Sequence, residues 1–116
     1  MIYLASPYSV LNPETHTEQS IKNLLTRRFK KVCRKAAELM EGGEVVFCPI
    51  AHSHPIEVNG MDTRHDGDFW LRQDFGVLRH ADRLVVYRMP GWQHSNGVTR
   101  EIAFARENDI PVEYID

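Results

Sequence analysis

With 116 residues, 42 % of them hydrophobic, and 16 acidic against 14 basic side chains for a formal charge of -2, the chain has the make-up of one folded domain with a single core. That balance excludes the global basic field that recruits duplex nucleic acid, and no apolar run approaches the roughly 20 residues that span a bilayer. The opening run from Met1 to Ala5 lacks the basic leader and the length of a signal peptide, so a cytosolic protein is expected. Cys33 and Cys48 are then expected as buried reduced thiols rather than a disulfide.

In chain order, Ile2-Tyr3-Leu4-Ala5 reads as an interior strand that enters a loop at Ser6-Pro7-Tyr8. From Val10 to Thr17 the chain is polar and contains Asn12-Pro13, which predicts an irregular stretch over the sheet edge. Ile21, Leu24, Leu25, Phe29, Val32, Cys33, Ala36 and Leu39 then recur at helical spacing, and Gly42-Gly43 stops that helix. Arg27, Lys31, Arg34 and Lys35 lie on its other faces, where a solvated surface outweighs a nucleic-acid stripe. Val45-Val46-Phe47-Cys48 predicts a second strand, and Pro49 to Pro55 a loop leaving its carboxyl end. A helix follows, capped by Asp68 and running through Trp70, Leu71, Asp74, Phe75 and Leu78 to Ala81. Leu84 to Tyr87 predicts a strand, Pro90 to Asn96 a loop, Gly97 to about Glu107 a helix, and Pro111 to Ile115 a last strand. Short apolar strands alternating with helices predict a small parallel sheet covered on both faces, with Ile2–Leu4 and Leu84–Tyr87 as inner neighbours. Right-handed crossovers open every strand-to-helix loop on one sheet edge, so Tyr8, His52, His54 and Ser95 are expected to share one pocket.

Two carboxylates stand where chemistry is available. Asp74 is flanked by Trp70, Leu71, Phe75 and Leu78, which predicts a partly desolvated group with a raised pKa. Glu101 lies about one turn into the last helix, roughly 6 Å along its axis from Gly97, facing the same cleft. Such a pair suits a glycosidic bond, one group meeting the developing oxocarbenium and the other protonating the leaving group. Read singly, Asp74 is a solvated or salt-bridged helix residue and Glu101 a partner for Arg100 or Arg106. Ser95, Asn96 and Gly97 offer a hydroxyl and helix amides to an anion, or simply cap the helix. Ser6 and Tyr8 add two hydroxyls beside the first strand, with rim packing as the alternative for Tyr8. His52-Ser53-His54 with His65-Asp66 invites a metal, but the set falls short of a stereotyped ligand motif, so neutral substrate-facing histidines are preferred and no cofactor is expected.

The segments Met1 to Tyr8, Gly43 to His54, and Pro90-Gly91-Trp92 with Ser95 to Glu101 resemble a small DUF1937-like family of bacterial and phage proteins. That family is similar to the nucleoside 2-deoxyribosyltransferases and the deoxyribonucleoside 5'-monophosphate N-glycosidases, and the resemblance covers nearly the whole chain. It implies a flavodoxin-like three-layer α/β sandwich, a single domain over 1–116, with four or five parallel strands. In the relatives a Ser-x-Gly-x-x-x-Glu segment follows a strand, and Ser95-x-Gly97-x-x-x-Glu101 matches it. The resemblance implies Glu101 as nucleophile, Ser95 as a contact to a 5'-phosphate, and Asp74 as the acid or base-orienting group. Asp74 opens Asp74-Phe75-Gly76-Val77-Leu78-Arg79-His80-Ala81-Asp82, which matches the relatives' helix end in spacing. Asp82 is then structural, and Tyr8 looks like their loop tyrosine. The first loop lacks the relatives' glycine and arginine, and Pro90-Gly91-Trp92-Gln93-His94 enlarges the last loop, which leaves nucleoside and nucleotide both open.

The expectation is therefore cleavage or transfer at the N-glycosidic bond of a nucleoside or nucleoside 5'-monophosphate. Glu101, Asp74 and Tyr8 would be catalytic, with Ser6, His52, His54, Ser95, Asn96 and Gly97 contacting substrate. A catalytically silent nucleotide-binding protein and a metal-dependent hydrolase using the histidines are the rivals. Partners are expected to be a small nucleoside or nucleotide and further copies of the chain, since Trp70, Trp92 or the middle helix would otherwise be exposed. Neither duplex nucleic acid nor membrane is expected.

Overall fold

A computed structural model describes residues 1–116. Four parallel strands, β1 (Ile2–Ala5), β2 (Val46–Phe47), β3 (Arg83–Tyr87) and β4 (Val112–Ile115), form one sheet in the order β2-β1-β3-β4. β1 and β3 are inner neighbours in parallel register, Ile2 opposite Arg83 and Ala5 opposite Val86, as their short apolar runs predict. The order reverses between β1 and β3, so the carboxyl ends of these two strands flank the switch-point crevice of a flavodoxin-like fold.

Side-chain alternation along the central strands divides the core in two. Ile2, Leu4, Val85 and Tyr87 pack on one face against Val32 and Ala36 of α1 (Glu18–Glu41) and Ile50 of α2 (Pro49–Gly60). Tyr3, Ala5, Leu84 and Val86 pack on the other against Leu78 of α3 (Gly67–Leu78) and Val98 and Ala105 of α4 (Asn96–Glu107). Three helices carry a side-chain cap: Thr17 accepts from the Ser20 amide, Asp66 from Phe69, and Ser95 from Val98. Past α1 the chain reverses through Gly43 at φ +100°, a conformation that favours glycine. Asp82 holds the amino terminus of the chain in an ion pair at the base of β3.

Several boundaries differ from the sequence reading. The stretch from Pro49 to Pro55, expected as a loop, is the first half of α2, opened by Pro49 at its first position, where a missing N–H costs nothing. Its interior Pro55, which argues for a loop, is tolerated midway. Asp66 rather than Asp68 caps α3, which stops at Leu78 rather than Ala81. β2 pairs over only two residues, and the last loop holds a single 3-10 turn at Trp92–His94. No helix is long and apolar enough to cross a membrane.

Leu4 is fully buried at the centre of the first core half. Leu4→Ala is expected to cost about 3 kcal/mol through lost burial and a residual cavity. Urea unfolding checks this, and a loss below about 1 kcal/mol would show that the core collapses around the site.

Candidate active site

Two helices on the same sheet face each place a carboxylate in the middle of a buried stripe. In α3 the sequence Leu71, Asp74, Leu78 keeps helical spacing, and both leucines are buried. In α4 the stripe is Val98, Glu101, Ala105, at the same intervals, and all three are buried. Asp74 and Glu101 therefore turn toward the sheet rather than toward solvent. Both line one cleft of about 630 Å³ at the carboxyl ends of β1 and β3.

Glu101 is only 5 % exposed. Its Oε2 accepts the hydroxyl of Tyr3, a fully buried residue of β1. Tyr3, read from the sequence only as a strand residue, is thus part of the site. Its signal was available, because a tyrosine inside an apolar central strand must find a partner for its O–H. Burial raises the Glu101 carboxyl from 4.5 to about 8, with Tyr3's hydrogen bond opposing and the Asp74 charge adding to the rise. Burial alone raises Asp74 from 3.8 to about 7. Neither carboxyl has a guanidinium or ammonium within ion-pair distance, so the alternative reading of Glu101 as a partner for Arg100 or Arg106 is not met. Arg100 instead binds Asp68.

Around this pair the chain brings Ser6 and Tyr8 from the end of β1, and Ser95, Asn96 and Gly97 from the start of α4. Ser6 is buried, and its Oγ has no hydrogen-bond partner. Ser95 lines the cleft while its Oγ caps the Val98 amide at 3.2 Å, leaving its own O–H to donate.

The two histidines lie elsewhere than expected. His52 is exposed on α2, beside Phe47, and does not line the cleft. His54 sits behind the lining, its ring stacked on Phe29 at 4.3 Å and its Nδ1 hydrogen-bonded to the Tyr8 hydroxyl. Pro49–Pro55 being helical explains this, since α2 carries Ser53 and Glu57 to the cleft and turns His52 away. No three His, Cys, Asp or Glu side chains gather in metal-ligating geometry.

The opposite wall was not legible as a site. Glu57 accepts from Trp70 Nε1 at 2.8 Å and Arg64 Nε at 3.1 Å. Arg28 of α1 donates through Nη1 to the carbonyls of Tyr8 and Ser9, at 3.0 and 2.8 Å, which pins the first loop. A Cβ built on Gly91 would stand 3.3 Å from Arg28 Nη2, so the last loop passes close to the same guanidinium. Trp70 and Trp92 are both partly covered, Trp70 bonded to Glu57 and Trp92 against the second core half, so exposed tryptophans no longer argue for self-association.

The fold and site define a flavodoxin-like α/β domain whose switch-point cleft holds a weakly acidic carboxyl pair, Glu101 buried and Asp74 half-buried. The chain belongs to the DUF1937 family, described as a domain of unknown function, whose family model matches residues 1–116. No curated protein matches the sequence significantly.

A carboxyl whose pKa is higher in the folded than in the unfolded chain binds more protons when folded, so the fold loses stability as pH rises from about 4.5 to about 8. Glu101→Gln removes that cost. Its expected effect at pH 9 is a gain on the order of 2 kcal/mol, the lifted ionisation cost less the penalty for an unpaired amide Nε2, turning to a loss of about 1–3 kcal/mol near pH 4, where only that penalty remains. Urea unfolding at both pH values checks it, and a variant less stable than wild type at pH 9 contradicts the burial of a charge there.

Proposed function

We propose that the protein breaks the N-glycosidic bond of a nucleoside or nucleoside 5'-monophosphate, by hydrolysis or by transfer of the sugar to another base. The observation that carries this reading is the convergence of Glu101 and Asp74, both with raised pKa values, in one cleft beside the unpaired Ser6 hydroxyl. The resemblance to deoxyribosyltransferases and nucleotide N-glycosidases supplies the substrate class.

In this mechanism a Glu101 carboxylate oxygen attacks the anomeric carbon and forms a glycosyl ester. The C–N bond breaks with its electron pair going to the base, which takes the proton held by Asp74. Water then attacks the anomeric carbon, Asp74 takes its proton, and Glu101 leaves as carboxylate with the sugar released. A second base in place of water gives transfer. Tyr3 holds the Glu101 carboxylate in place and favours its charged form. Tyr8, Ser6 and the Ser95–Gly97 turn hold the sugar and any 5'-phosphate, the latter at the amino end of α4.

The raised pKa values of both carboxyls support a second assignment, in which the pair shares one proton and Asp74 attacks while Glu101 serves as the acid. Trapping with a 2'-fluoro nucleoside and mapping the labelled peptide separates the two assignments. A silent nucleotide-binding protein would trap nothing. The same reading places the protein in the cytosol, in keeping with free Cys33 and Cys48, and as a homodimer or larger homo-oligomer by resemblance.

Incubation with a panel of deoxynucleosides and their 5'-monophosphates, following base release, is expected to show turnover that Glu101→Gln lowers by at least about a thousandfold while binding survives. Asp74→Asn is expected to hurt most where the base leaves poorly, and Ser95→Ala mainly to raise KM for monophosphates. Equal rates for wild type and Glu101→Gln would remove Glu101 from the chemistry. The active form carries one proton on the pair, so kcat/KM is expected to fall below about 7, where the carboxylate is lost, and above about 8, where the acid is lost. A rate flat from pH 5 to 9 would contradict that assignment.

A further inference from the structure

Tyr8 lines the cleft, but its hydroxyl is not free to choose its hydrogen-bonding direction. It meets Nδ1 of His54, whose ring is stacked face to face on Phe29 and stands edge-on to Tyr8 itself. His54 makes no other side-chain hydrogen bond. Its pKa is lowered, burial and the Arg64 charge acting against Glu57, so the imidazole is neutral at neutral pH. Tyr8, Glu57 one turn further along α2, and Arg64 in the following loop are the titratable groups that face it. A neutral imidazole has one acceptor nitrogen and one donor. A phenol is a better donor than an imidazole N–H, and an imidazole nitrogen a better acceptor than a phenol oxygen. The stronger arrangement therefore puts the proton of His54 on Nε2 and has Tyr8 donate to Nδ1.

The consequence lies in the cleft. With its proton spent on His54, Tyr8 presents only lone pairs to a ligand. Two residues earlier, just past the end of β1, the buried Ser6 hydroxyl has no partner and is free to donate. A ligand group serving both must donate to Tyr8 and accept from Ser6. A hydroxyl does both through one oxygen, whereas a protonated amine only donates and a phosphate dianion only accepts.

We propose that Ser6 and Tyr8 form a subsite for a sugar hydroxyl, and that His54 is a positioning residue that sets Tyr8 as its acceptor. This rests on the nucleoside reading only for the class of sugar. His52, in the same His-Ser-His-Pro run, has no part in it.

The test has two arms. Nitrogen-15 NMR of the imidazoles is expected to show His54 with Nδ1 unprotonated at pH 7.5, and its Nδ1 shift to move in Tyr8→Phe. Calorimetry then uses 2'-deoxyadenosine with its 3'-fluoro and 5'-fluoro analogues, since fluorine replaces the hydroxyl without donating. One analogue is expected to bind wild type about tenfold more weakly and Tyr8→Phe with no further loss. His54→Ala is expected to lower affinity as Tyr8→Phe does, and His54→Asn, whose Oδ1 stands near the place of Nδ1, to restore most of it. A protonated Nδ1, or a fluorine penalty that persists undiminished in Tyr8→Phe, overturns the proposal, and so does a failure to bind 2'-deoxyadenosine at all. Binding with the expected fluorine pattern but no base release supports it and rejects the N-glycoside reading alone.

Discussion

The structure depends on a carboxyl set where a core side chain belongs. Glu101 stands between Val98 and Ala105 on the buried stripe of α4, over the central strand β1, with a tyrosine hydroxyl as its hydrogen-bond donor. An ionised group there lacks both water and a counter-charge, so the folded chain resists ionising it until pH rises to about 8. An aliphatic residue at that position would pack without this cost, and natural cores accept such a burden chiefly where function needs it. Asp74 repeats the arrangement on α3, and its charge adds to the rise of Glu101.

The surrounding fold turns this local cost into a cleft. β1 and β3 diverge in strand order, leaving their carboxyl ends without a crossover above them. Over that gap the first loop is tied to α1 by Arg28, and the last loop runs close to the same side chain. Arg28 is a cation whose partners are carbonyls, and burial lowers its pKa. On the far side Glu57 joins α2 to α3 through Trp70 and to the intervening loop through Arg64. Hydrogen bonds of side chains thus hold both walls, while the two core halves hold the sheet.

Most of the architecture was legible in the sequence because the signals were strong and local. The apolar runs of β1 and β3, the long stripe of α1 and the Gly42-Gly43 stop all act within a few residues. α2 was not, because His52-Ser53-His54-Pro55 combines weak helix formers with a proline, and its helix is held by packing of Pro49 and Ile50 rather than by propensity. That one misreading also misplaced both histidines. Glu101 and Asp74 were legible as candidates, and their intervals to Leu71 and Leu78, and to Val98 and Ala105, carried more information than either carboxylate alone. Tyr3 and the Glu57 cluster join residues remote in sequence, 98 positions apart for Tyr3 and Glu101, so a buried tyrosine announces its need for a partner but no local pattern says which residue meets it.

The central claim is that Asp74 and Glu101 are both reluctant acids in the folded protein. Carbon-13 NMR of their side-chain carboxyls, titrated from pH 3 to 10 and assigned with Asp74→Asn and Glu101→Gln, measures this directly. Midpoints near 7 for Asp74 and near 8 for Glu101, the latter moved down in Asp74→Asn, are the predicted result. Ordinary carboxyl midpoints near 4 for both would contradict the account.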